Sequence, residues 1–175
     1  MFLLGKKKYF NEVYFEIFKK AMLAVDDTNN ILTYYGAKSN IEESKMKFVL
    51  STYLFNLYFI EGPLQKKYWS NYKKEVNQIV DAMIVEISNR TGYTTEQSLS
   101  VYSTIRTNLQ EAVLNDEELK NENPLFIAAI YYLQFTFKDA YNPENLGYSS
   151  GEVETAIAKV FETIMKETIL YLDSK

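Results

Sequence analysis

Two carboxamides interrupt the most apolar stretches of this chain: Asn56 within Phe48–Ile60 and Gln134 within Leu125–Phe137. An amide buried among hydrocarbon must hydrogen-bond or lose roughly 1 to 3 kcal/mol per orphaned group, so each needs a partner. The other amide, a tyrosine hydroxyl from Tyr53, Tyr58, Tyr131 or Tyr132, or a bound molecule would serve. A satisfied core amide that fixes helix register is the structural reading. The functional reading is a small apolar ligand held between the two helices, with Asn56, Gln134, Tyr53 and Tyr131 as its contacts.

Other chemistry is sparse. The chain has no histidine, which removes Ser-His-Asp and Cys-His nucleophiles, imidazole acid-base catalysis, the usual zinc ligands and the Glu-x-x-His pairs of di-iron bundles. With no cysteine, thiol chemistry, disulfides and thiolate metal sites go as well. Glycines at 5, 36, 62, 92, 147 and 151 match neither a phosphate loop nor a dinucleotide fingerprint. The paired acids Asp26-Asp27, Glu42-Glu43 and Asp116-Glu117-Glu118 fall at expected helix ends or connections, where capping and solvation explain them better than catalysis. The oxygens of Asp26 to Asn30 lack the glycine and closing glutamate of a calcium loop. No catalytic residue, metal site or cofactor is expected.

The net charge of −4 and the presence of only two arginines, Arg90 and Arg106, argue against nucleic-acid binding, which draws its affinity from neutralising phosphates. Tyrosine is abundant, 15 of 175 residues, and that side chain is favoured at protein interfaces.

The elements that must position these residues read as helices. Asn123 and Pro124 form a capped entry to an apolar helix running to about Tyr141, the centre of the fold. Its expected neighbour starts near a capping box (Asn40 with Glu43, or Ser39 with Glu42) and stops at Gly62-Pro63. Around this pair lie an amphipathic helix from Tyr9 to about Val25, ended by Asp26–Asn30; a helix from Leu64 to Asn89 stopped by Gly92; one opened by a Thr94–Gln97 capping box; and a last one from Ser149 and Glu152 through Leu172. Residues 1–8 read as a flexible, apolar-then-basic end that binds a membrane only weakly, and their order is the reverse of a secretory signal. The expected fold is all-α: a single-domain bundle of about six helices, residues 1–175, around two strongly apolar central helices. The Asn123–Tyr141 helix is shorter than the roughly 20 apolar residues that cross a bilayer, so no stable membrane insertion is expected, and with an N-terminus unlike a secretory signal the chain reads as cytoplasmic.

These features favour a non-catalytic protein that binds another protein, by fold-level analogy with small acidic helical proteins that neutralise a toxin or enzyme. Surface tyrosines and acidic charge would form the docking face, and a twofold homodimer is a further option. The alternative is the bundle that encloses an apolar ligand at Asn56 and Gln134.

Overall fold

The computed structural model describes residues 2–37, 41–42, 45–115, 123–137 and 151–174. Among them it is an all-α bundle without strands. Its helices are α1 (Phe2–Tyr34), α2 (Lys45–Thr91), α3 (Thr95–Asn115), α4 (Pro124–Phe137) and α5 (Glu152–Asp173). One continuous cluster of buried side chains joins all five.

α1 is longer than its sequence suggests at both ends. Residues 2–8 are already helical, and Asp26–Asn30 lies inside the helix instead of ending it. Helix-weak side chains such as Asp, Asn and Thr each cost about 0.5 kcal/mol relative to alanine. Carrying the helix onward buries Leu32 completely, worth about 1.5 to 3 kcal/mol. The buried Thr28 hydroxyl donates to the carbonyl oxygen of Ala24 (2.7 Å), so it competes for no backbone donor.

The α2 break is displaced. Gly62-Pro63 does not stop the helix; Pro63 sits inside it. Proline forfeits the bond to the Phe59 carbonyl and costs about 3 kcal/mol in a helix interior. Ile60 and Leu64, both fully buried, offset that by fixing the chain to the core on either side. The helix instead departs from helical geometry at Tyr72 (φ −139°, ψ 33°). There it folds back on itself. A straight helix would place residues 46 and 92 roughly 70 Å apart, yet the terminal carbon of Met46 reaches to 4.0 Å from where a Cβ on Gly92 would stand. Tyr53 on the first arm and Arg90 on the second both meet the Phe18 ring of α1, at 6.4 and 5.2 Å. Counting α2 as two arms, the described residues form six principal helical segments, and Ile41 and Glu42 add a short helical piece.

Local caps hold the other boundaries. Gly92 (φ +72°), its N–H on the Ser88 carbonyl oxygen at 3.0 Å, closes the second arm. Thr94 and Gln97 form the reciprocal capping box at 2.9 and 3.1 Å. Asn123 accepts the Leu125 N–H at 3.0 Å, ahead of Pro124 as the first residue of α4. α5 begins after Gly151 (φ +104°), whose N–H donates to the Glu154 carboxylate at 2.9 Å. Ser149, the expected cap, and the candidate caps Ser39, Asn40 and Glu43 lie outside the described residues, as do Tyr141 and the acids at 116–118.

The two central helices do pair, antiparallel. Phe48 faces Phe137 (6.3 Å), and Phe55 meets Tyr132 (5.1 Å) and Tyr131 (5.8 Å). Phe161 of α5 closes the seam against Phe59 (4.6 Å) and Phe55 (6.1 Å). Hydroxyls lie beside these rings. Thr52 donates to the Phe48 carbonyl oxygen at 2.7 Å, so it accepts from the Tyr132 hydroxyl, also at 2.7 Å. Thr136 donates to Ser51 at 3.0 Å.

Candidate functional site

The four residues singled out from the sequence do not converge. Asn56 is fully buried but faces α1, where its Nδ2 donates to the Ala21 carbonyl oxygen at 3.3 Å. Its Oδ1 is buried without a hydrogen-bond partner. Tyr53, one turn earlier on the same face, stacks on Phe18; burial, opposed by the Arg90 charge and aided by the Asp26 and Glu86 carboxylates, holds its hydroxyl above the usual tyrosine range. Tyr131 is half-buried and its hydroxyl accepts from Asn108 of α3. Gln134 is exposed, so it meets neither Asn56 nor the core; of the partners open to the two amides, pairing with each other does not occur, and the polar contacts at this seam are those of Thr52 with Tyr132 and Ser51 with Thr136. The apolar positions around Gln134 bury Leu133, Thr136 and Phe137 and leave position 134 on the water side.

A polar cluster that the sequence reading passed over lies where the first arm of α2 meets α3. Glu61 directly precedes the Gly62-Pro63 pair expected to stop the helix, but the helix continues, and Glu61 is held inward at 8% side-chain exposure. Tyr102 donates to its Oε2 at 2.5 Å and Gln65 to its Oε1 at 2.7 Å. Arg106, one turn beyond Tyr102 on α3, places its Nε 3.6 Å from Oε2 and its guanidinium 6.0 Å from the Tyr102 ring. Burial first, then the Glu61 carboxylate, pushes the Tyr102 hydroxyl far above the usual range, so it stays protonated and acts as a donor. Two helical spacings of four, Glu61 to Gln65 and Tyr102 to Arg106, build the cluster, and the visible signal was a lone acid directly following the apolar run Phe48–Ile60.

Glu61, Gln65 and Arg106 of this cluster line an open groove of about 490 Å³. Phe59, Pro63, Pro124, Leu125 and Met165 give it apolar walls, and Gln65, Arg106, Gln110 and Asn123 give it polar groups. A second groove of similar size runs between α1 and α5, floored by Ala24, Val160 and Ile164 and crossed by the Lys20–Glu167 ion pair (2.9 Å). A third lies beside Asp26, Asn29, Glu42 and Lys45. None of the three is lined by Asn56, Gln134, Tyr53 or Tyr131.

Among the described residues, no three carboxylates converge as metal ligands, and no helix is long and apolar enough to cross a membrane. Of the described tyrosines only Tyr34 is exposed; the others pack their rings against the bundle. Tyrosine therefore contributes little to the described surface beyond Tyr34. No family model, no curated protein and no solved structure matches the chain.

Proposed function

We propose that this protein acts by docking on another protein, without catalysing a reaction, and that the outward face of α1 with the adjoining edge of α5 is the docking surface. The observation behind this reading is where large apolar side chains meet water. α1 leaves Phe15 (67%), Leu23 (57%) and Tyr34 (72%) exposed, and α5 adds Leu170 (69%). Beside and between them on α1 stand Glu12, Glu16, Asp26 and Asp27, all exposed, with Lys19 the only exposed base from Asn11 to Tyr34. Apolar side chains set among carboxylates fit a partner that offers apolar pockets rimmed by bases. That is the surface of an inhibitor-like protein covering a basic site.

The enclosed-ligand alternative has weaker support. Its seam is filled by the rings of Phe55, Tyr132 and Phe161, and one of its two amides faces water.

The test is a Phe15→Ser, Leu23→Ser double variant used beside the wild type as bait in host extract. A stoichiometric partner held by the wild type and weakened at least about tenfold by the variant, with an unchanged circular-dichroism melt, is expected. A partner that binds both equally, or no stoichiometric partner in repeated captures, refutes the proposal. Sedimentation of the wild type separates self-association through the same face from capture of a different protein.

A further inference from the structure

We propose that the groove between the first arm of α2, α3, the start of α4 and α5 binds a small zwitterion with an apolar body, of the chemical class of an apolar α-amino acid, its carboxylate on Arg106 and its ammonium on Glu61. The argument begins with unused bonding capacity. A carboxylate offers about four lone-pair sites, and Tyr102 and Gln65 occupy one on each oxygen of Glu61. Arg106 is too far for a hydrogen bond at 3.6 Å and contributes charge only. Its side chain is 41% exposed and its guanidinium carries five N–H donors; it lies near the Glu61 carboxylate, the Tyr102 ring and the Tyr58 hydroxyl.

The charge balance selects the ligand class. A simple anion placed on Arg106 would be repelled by the Glu61 carboxylate, and a simple cation placed on Glu61 would be repelled by Arg106. A molecule carrying both charges a few bonds apart answers each group with its opposite. The start of α4 lines the same groove at Asn123, Pro124 and Leu125, and the positive end of its helix dipole adds to the attraction for a carboxylate. Phe59, Leu125 and Met165 offer the apolar body a wall, and about 490 Å³ is the size of a small-molecule site. The groove lies away from the α1 face, so this binding is independent of the docking proposed above.

The experiment is ligand-detected NMR followed by calorimetry on the full chain, with leucine, methionine and phenylalanine as probes. N-acetyl-leucine removes the ammonium charge, leucine methyl ester removes the carboxylate, and glycine removes the apolar body. At least one of the three amino acids is expected to bind, with each altered compound weaker by at least about tenfold. Arg106→Gln and Glu61→Gln should each weaken it by a similar factor, and Glu61→Gln keeps an acceptor for Tyr102. The compound series needs no substitution, so it decides the question even where a variant folds poorly. No binding by any of the three amino acids, or binding of the acetylated and esterified compounds as tight as that of leucine itself, overturns the proposal and leaves the cluster as a brace between α2 and α3.

Discussion

Replacing Asn56 with leucine should make this protein more stable. The two side chains have the same heavy-atom count and branching, so the substitution leaves the packing against Ala21 nearly unchanged. Asn56 is fully enclosed, and its Oδ1 has no hydrogen-bond partner. A buried acceptor left in that state costs about 1 to 3 kcal/mol. The bond lost in exchange is long, 3.3 Å from Nδ2 to the Ala21 carbonyl oxygen, and is worth about 0.5 kcal/mol. That carbonyl keeps its intrahelical donor from residue 25, so nothing new is orphaned. The net gain is about 1 to 2 kcal/mol, or roughly 2 to 8 °C in Tm for a chain of this length. Urea unfolding gives the direct measurement, as a raised midpoint at unchanged slope. A loss of about 1 kcal/mol or more would refute the reasoning, because it would mean that Oδ1 holds a buried water or a bound molecule. That result would also restore the enclosed-ligand reading.

Tyr102→Phe takes the 2.5 Å donor from the nearly buried Glu61 carboxylate and should cost about 1.5 to 3 kcal/mol in urea unfolding; adding Glu61→Gln should cost less than the sum of the two single changes, and strict additivity would show that the pair is not coupled. Burial holds the hydroxyls of Tyr102 and Tyr132 well above the ordinary value of 10.0. Their contribution to stability is whole below the unfolded pKa and is lost as pH rises past it, because the unfolded chain gives up these protons first. The urea midpoint should therefore fall above about pH 10, each of the two hydroxyls contributing about 1.4 kcal/mol per pH unit until its folded pKa is reached. Tyr132→Phe should flatten that slope, and an equal slope in the variant would contradict the assignment.

What was legible in the sequence was mostly local. The Asn123-Pro124 entry, the Thr94–Gln97 box and the Gly92 stop each need only neighbouring residues, and each is realised with its hydrogen bonds or its positive φ. The errors fall where tertiary burial outweighs a local preference. Asp26–Asn30 is a turn by composition, yet Thr28 and Leu32 belong to the buried face of α1 and draw the helix through it. Gly62-Pro63 is a strong breaker pair, yet it lies between Ile60 and Leu64, both fully buried, and the fold keeps those two in register. The reversal moves to Tyr72, whose ring packs against Phe10 (5.6 Å) and Tyr68 (6.2 Å) where α1 meets the bend. No sequence pattern announces a hairpin closed by one non-helical residue inside a continuous helix.

The candidate sites show the same division. Periodicity brought Phe48–Ile60 against Leu125–Phe137, but it treated any polar residue in an apolar run as interior. One residue in an apolar helix can still point outward, and Gln134 does. The polar contacts that join the two helices come from Ser51, Thr52, Tyr132 and Thr136, residues that a hydrophobicity count sees as neutral. Tyrosine follows the same logic. A ring that fills the core and a hydroxyl that must be satisfied suit a bundle with few other buried donors, so Tyr102 meets Glu61, Tyr132 meets Thr52 and Tyr131 meets Asn108. The abundance of tyrosine is thereby absorbed by the interior and its margins. What remains to distinguish the surface is the acidic, partly apolar face of α1 and the paired charges of Glu61 and Arg106 in their groove. Substitutions on the first should alter protein capture without touching small-molecule binding, and substitutions in the second should do the reverse.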